Sequence, residues 1–319
     1  MNLFLCGRTF LYSREQIIDR VLQIMYNLIV VSANDTRSTT MEKESSKKKS
    51  LFLRAIACLM IIFAILGAIS FPLKTVHYHI STNEVTEPVR IIQVSDLHSS
   101  WYGKEMNTLI NAVRKEAPDA IVLTGDIYDE LVNNDNTRTF LKAVSAEYPC
   151  FYISGNHELR RNGWKTYREE AKSMGITVLE GENADFMGIT ICGASETGDG
   201  RLTFDESVEK CAENAGDGFN VLLAHYPEQI DFYRSFGKFD LILSGHAHGG
   251  QWRIPFLING VFTPDQGIFP EYAGGEYRFD SETMIVSRGL ERTKTPVPRI
   301  FNNPELVVID IIPESEEKT

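Results

Sequence analysis

The feature that most constrains this chain is a series of short apolar runs, each ending in a residue type that binds metals. Val94 leads into Ser95-Asp96-Leu97-His98, and Thr124 into Gly125-Asp126. Ser154 leads into Gly155-Asn156-His157-Glu158, Ala224 into His225, and Ser244 into Gly245-His246-Ala247-His248-Gly249-Gly250. Of seven histidines in the chain, five stand at these run ends. Runs this short and this apolar have the length of buried strands. Chemistry collects where strands give way to loops, so a fold that aligns these ends gathers Asp, Asn and His side chains in one place.

The rest of the body supports layered α/β architecture with mixed sheets. Val89–Val94, Ala120–Thr124 and Cys150–Ser154 read as buried strands, and Met106–Glu116, Thr137–Glu147 and Trp164–Met174 as helices. Thr177–Leu179, Ile189–Ala194, Phe219–Ala224, Leu241–Ser244, Thr283–Ser287 and Leu306–Ile311 read as further strands, with a turn at Gly181, Glu182 and Asn183. Trp252–Phe262 is expected to form a packed strand pair punctuated by Pro255 and Asn259-Gly260; its other reading is a segment that dips into a membrane. Trp101 and Tyr102 read as packing or surface aromatics, or as lining for a substrate mouth.

Asp96 and His98 stand at i and i+2 on extended chain, as do His246 and His248, so each pair can face one side. Gly125, Gly155 and Gly245, beside Asp126, Asn156 and His246, permit close backbone approach. Oxygen and imidazole donors without cysteine suit Mn, Fe, Zn or Mg. Each tripeptide alone is commonplace, but the ordered set has too many donors for one ion and suits two ions sharing a carboxylate. The five cysteines are too few and scattered for a disulfide framework and read mainly as buried free thiols.

The order D-x-H, G-D, G-N-H-E, H, G-H-x-H resembles the calcineurin-like metallophosphoesterase superfamily, over about Ile91 to Ile311. Residues 245–251 (GHAHGGQ) and 286–305 (VSRGLERTKTPVPRIFNNPE) resemble a bacterial subgroup that is membrane-anchored or exported. That subgroup more often has Thr at Ala247 and Gly at Glu291, and neither departure is expected to touch a ligand. The resemblance implies a sandwich of two mixed β-sheets with helices outside. It implies that Asp96, His98 and His248 hold one metal, that Asn156, His225 and His246 hold the other, and that Asp126 bridges both. It gives His157 the role of protonating the leaving oxygen or stabilising the transition state. Glu158 is expected to orient His157 or to be a surface helix-start carboxylate. Gly249, Gly250 and Gln251 are expected to offer donors to substrate or to form a turn. The chemistry implied is hydrolysis of a phosphoester by water activated between two divalent ions.

Charge is unevenly divided. The chain carries a formal −11, yet residues 1–54 hold nine Lys and Arg against five Asp and Glu. The acidic remainder makes a stable nucleic-acid partner unexpected, because such binding needs basic surface. Ala55 to Leu73 is a run of nineteen residues without a charge, preceded by Lys47-Lys48-Lys49. This reads as a single-pass transmembrane anchor over 51–73, N-terminus in the cytoplasm and catalytic domain outside. A cleaved signal segment, giving a secreted protein, is the other reading. Residues 1–50 read as a cytoplasmic segment, with 1–40 either a true tail or an extension upstream of a start at Met41. Residues 74–88 read as a linker, 89–312 as the metallophosphoesterase domain and 313–319 as an acidic tail.

The expected function is hydrolysis of phosphodiester or pyrophosphate bonds, on lipid-linked or envelope-derived phosphoesters. A phosphomonoesterase is the enzymatic alternative. A catalytically silent metal-binding interaction module is the alternative of another class, and the complete ligand set argues against it.

Overall fold

The computed structural model describes residues 47, 49–58, 72–254, 256–292 and 298–314. Residues 51–58 are helical, with Leu51, Phe52 and Leu53 exposed. Among the described residues no helix is long and apolar enough to cross a membrane. Most of the expected anchor, 59–71, lies outside the described residues, as do the expected upstream segment 1–40, Pro255 and the end of the acidic tail.

From Pro72 onward the described residues form two six-stranded sheets. In the first, β1 (Lys74–Thr82) pairs in parallel with β14 (Glu305–Pro313), which runs antiparallel to β2 (Val89–Val94). The parallel strands β3 (Ala120–Thr124), β4 (Cys150–Ile153) and β5 (Thr177–Val178) follow. In the second, the strands β7 (Ile189–Ala194), β8 (Asn220–Ala224), β9 (Leu241–Ser244) and β13 (Thr283–Val286) are parallel. Antiparallel β6 (Glu182–Phe186) and β12 (Gly275–Arg278) close its edges. A small hairpin joins β10 (Phe262–Thr263) to β11 (Gly267–Ile268).

Side chains alternate across a strand, so a strand buried on both faces must be apolar throughout. On β3, Val122 enters the core between the sheets, together with Val221, Leu243 and Ile309. Its neighbours Ile121 and Leu123 point the other way, towards α1 (Asn107–Glu116), α2 (Asp135–Ser145) and α4 (Trp164–Ser173). On the far side of the second sheet, Cys192 and Leu222 pack with α5 (Phe204–Glu213) and α6 (Ile230–Arg234). The order of layers is helix, sheet, sheet, helix. Cys150, Cys192 and Cys211 are buried free thiols, as their apolar surroundings suggested.

Three stretches differ from the sequence reading. Lys74–Thr82 is not linker but the edge strand β1, whose alternation of polar and half-buried residues suits an edge that packs on one face. Glu182 and Asn183 start strand β6 rather than lying in a turn; ENADF is polar because it is half exposed. The helix α5, absent from that reading, begins in a capping box: Glu206 N–H donates to Thr203 Oγ1 at 3.3 Å and Thr203 N–H to Glu206 Oε2 at 2.9 Å.

Candidate metal centre

Parallel strands place their carboxyl ends along one edge, where ligands collect in open α/β sheets. The ends of β2, β3 and β4 in one sheet, and of β8 and β9 in the other, carry Asp96, Asp126, Asn156, His225 and His246. Cross-sheet bonds hold the two edges together. His225 Nδ1 lies 2.8 Å from the Thr124 carbonyl, and Gln93 Nε2 donates to the Ser244 carbonyl at 2.9 Å.

All seven ligands expected from sequence meet here. Asp96, His98, Asp126 and His248 form one group whose ligand atoms lie within 4.8 Å of one another; Asp126, His225 and His246 form a second. Asp126 belongs to both. Its Oδ2 is 3.6 Å from His98 Nε2 and 3.4 Å from His225 Nε2. His248 Nε2 is 3.5 Å from Asp96 Oδ1. Asn156 Oδ1 sits 3.1 Å from His246 Nδ1 and 3.2 Å from Asp126 Oδ2. That amide oxygen faces acceptors, and His98 Nε2 is buried without a hydrogen-bond partner. Oxygen and imidazole lone pairs converging in this way fit a divalent cation, so the donor set suits the metals expected from sequence.

The backbone is bent sharply to aim these groups. Asp96, His98, Asp126, His246 and His248 all have φ between 45° and 65°, a costly region for residues with a Cβ. Two glycines are sterically required. A Cβ on Gly155 would stand 2.3 Å from Asp126 Oδ1, and one on Gly245 would stand 1.9 Å from Ser95 Oγ.

Electrostatics couple these groups: burial opposes charge on His225, but Asp126 outweighs it and raises the imidazole to about 10, a proton that a bound cation would displace. Burial opposes ionisation of Asp126, but His225 and His98 outweigh it and hold the carboxyl well below its usual range. Burial keeps His248 far below 6.5, in the neutral form that offers a lone pair.

Carboxylates stand beside two of the candidate ligand imidazoles. Asp129 Oδ2 is hydrogen-bonded to His98 Nδ1 at 3.0 Å, and Glu291 Oε2 is 3.2 Å from His248 Nδ1 without hydrogen-bond geometry. Sequence reasoning missed Asp129; its only signal is the spacing of three residues after Asp126. The Glu291 departure was expected to touch no ligand, but its buried carboxylate lies against one.

His157 takes no place in either ligand group that includes Asp126, and its ring stands edge-on to His98, centroids 4.5 Å apart. Its Nδ1 is 2.7 Å from Glu130 Oε2, and its Nε2 is 3.1 Å from Arg160 Nη1. Burial lowers its pKa below 6.5, and His98 and Arg160 add to that effect. The carboxylate that orients His157 is therefore Glu130. Glu158, expected in that role or on the surface, is wholly buried. It accepts from the backbone N–H groups of Asp126, Ile127, Tyr128 and Gly155 at 2.7–3.0 Å, and from Tyr152 Oη–H at 2.8 Å. Burial and Asp126 push its carboxyl up to about 7, while these donors favour the charged form.

A cleft of about 570 Å³ opens over the ligands, with His157, Arg160, Tyr226, Glu228 and Asp265 in its wall. Gly249, Gly250 and Gln251 lie outside that wall. Gly250 N–H is bonded to the Ala247 carbonyl and Gln251 N–H to the His248 carbonyl, so these two backbone donors are used within a turn. Tyr102 is buried and donates to the Leu290 carbonyl at 2.6 Å, which makes it a packing residue.

The family model of the calcineurin-like phosphoesterases matches residues 89–250. The chain belongs to this family and is a metal-dependent phosphoester hydrolase. It is 29% identical over 232 residues to the uncharacterized metallophosphoesterase YkuE of Bacillus subtilis, covering 70% of this chain and 78% of that one. It is 29% identical over 215 residues to the phosphodiesterase YaeI of Escherichia coli, covering 64% of this chain and 75% of the other. Among solved structures, NAD nucleotidase of Haemophilus influenzae is similar with a TM-score of 0.41 and 15% identity. That match takes in 64% of this chain and 45% of the nucleotidase, so the chain spans less than half of it.

Proposed function

We propose that this chain hydrolyses phosphodiester or pyrophosphate bonds at a dinuclear centre, acting on lipid-linked or envelope-derived phosphoesters. In this reading the uncharged N-terminal run anchors it in the cell membrane, with the catalytic domain outside. The observation that carries the dinuclear reading is Asp126, whose carboxylate is shared by both ligand groups. Asp96, His98 and His248 would hold one ion, Asn156, His225 and His246 the other, and Asp126 both. Divalent ions held by these residues would supply Lewis-acid activation of water and neutralisation of phosphoryl charge.

The chain's own residues supply the rest. Arg160 Nη2 and Asn156 Nδ2, two donors 3.0 Å apart at the cleft, can both turn to a phosphoryl oxygen. Glu130 holds His157 through Nδ1 and Nε2 faces Arg160 Nη1 at 3.1 Å; once Arg160 turns to the phosphoryl group, a protonated Nε2 can give its proton to the departing alkoxide. The diester preference is supported by the likeness to the phosphodiesterase YaeI. Anchoring is supported by the charge-free run behind three lysines.

The test is a panel of phosphoesters at fixed Mn²⁺ with metal content measured on the same samples. Two ions per chain and a kcat/KM at least tenfold higher for an aryl phosphodiester than for the matching monoester are expected. One ion per chain overturns the dinuclear reading, and a preference for the monoester overturns the substrate reading. A reporter fused after Thr319 is expected to be active only outside the cytoplasm.

A further inference from the structure

The segment after the last ligand is not the packed strand pair expected from sequence. Ile254 meets Ile258 through an isolated bridge, and the following β10–β11 hairpin is two residues deep. The apolar side chains point outward: Phe256 is 106% exposed, Leu257 82%, Ile268 71% and Phe269 65%. Between Ile254 and Pro264 the sequence has no charged residue. At the root, backbone and side-chain groups are bonded to neighbouring segments. Arg253 N–H donates to the Ile300 carbonyl at 2.9 Å, and Asn259 Nδ2 donates to the Gly274 carbonyl and to Tyr277 Oη, each at 3.0 Å. The tip is tightly closed, since both Leu257 N–H and Ile258 N–H donate to the Ile254 carbonyl. The exposed side chains are thus carried on a braced loop.

We propose that this loop, residues 252–269, inserts its apolar tips into the surface of a lipid bilayer and holds the cleft at the membrane interface. Two observations select a bilayer. The charge-free run 55–73 ends where β1 begins at Lys74, so an anchored domain has no spacer to carry it away from the membrane. The loop is also continuous with the cleft. Asp265, in the turn between β10 and β11, stands 2.5 Å from His246 Nε2 through its Oδ2, and Pro264 and Asp265 line the cleft wall. Projecting apolar side chains with few charges partition into the headgroup–acyl boundary. A phosphoester whose acyl chains stay in the bilayer then meets the ligands without leaving it. The choice of occupant rests on the anchored reading above.

The test uses the full chain with Cys6 and Cys58 changed to Ser, in phosphatidylcholine vesicles. Leu257→Cys carries an environment-sensitive fluorophore, and Met187→Cys, half exposed in the β6–β7 turn, carries the same label as control. Vesicles containing nitroxide-labelled lipid are expected to quench the label at 257 at least threefold more than at 187, independently of protein density. Equal quenching at the two positions overturns the proposal. A blue shift that grows with protein density without lipid quenching assigns the loop to a second copy, which also overturns it. Flotation with vesicles reads the N-terminal anchor separately, so failure of the anchor and failure of the loop are distinguished.

Discussion

Glu158 Oε2 accepts the backbone N–H of Asp126 at 2.9 Å, so the residue that follows His157 in sequence builds the loop of the shared carboxylate. Ile127 and Tyr128 N–H bond to the other oxygen of the same side chain. Glu158→Gln turns one acceptor into a donor facing those N–H groups. We expect a loss of about 2–4 kcal/mol of stability and reduced metal content. Thermal melts and metal analysis check this; an unchanged melt would show that the loop holds its shape alone.

His157→Ala is expected to lower kcat about 10²–10⁴-fold while metal content stays at the wild-type value. Glu130→Gln should give a smaller loss and move the acid limb of the pH–rate profile, because Glu130 orients His157 through Nδ1. Loss of metal from His157→Ala would mean that its imidazole is a ligand.

Glu291→Gln and Asp129→Asn remove the carboxylates beside His248 Nδ1 and His98 Nδ1. Each is expected to weaken one metal about 10–100-fold. Calorimetric titration of Mn²⁺ should show one of the two steps shifted in both variants. Equal weakening of both steps would contradict the division of ligands.

Asp126→Asn is expected to abolish turnover and to weaken both ions, since Asp126 joins both ligand groups. Chelation should abolish activity and added Mn²⁺ restore it. Retention of one full-affinity ion in Asp126→Asn would argue against a shared ligand.

Asp240 offers a pH test away from the centre. Burial raises its carboxyl from 3.8 to about 6, with Glu84 and Glu282 adding to the rise. A carboxyl raised by folding binds its proton longer in the native state, so stability falls as pH rises from about 4 to about 6. Asp240→Asn should flatten that part of the melting profile relative to wild type. Because the group is partly solvated, the difference is expected to stay near 1 kcal/mol, roughly 2–4 °C. Parallel profiles would mean that Asp240 titrates alike in both states.

The strands that carry ligands were legible because they are buried on both faces, so Val122 and its neighbours are apolar without interruption and the ligand follows directly. The edges were not. β1 and β6 keep polar residues on a solvated face, and their alternation resembles linker and turn. The seven candidate ligands were legible as an ordered set with their glycines, and the fold brings them to one place. Asp129, Glu130 and Glu291 were not, because a carboxylate that steadies a histidine comes from a loop with no periodicity to mark it. Glu158 was seen but misplaced: adjacency to His157 says nothing of which way a four-residue helix turns each side chain.

The register of β1 on β14 pairs Lys74 with Glu305 and Thr82 with Pro313, partners more than two hundred residues apart. β14 also separates β1 from β2, so β1 has no partner, and β2 is paired only with β3 on its other side, until β14 has been synthesised. A growing chain must therefore wait with the apolar edge of β2 uncovered, an exposure that invites mispairing. Chain termination before Glu305 would remove β14 and leave β1 unpaired, so two of the six strands of the first sheet depend on the segment Glu305–Pro313.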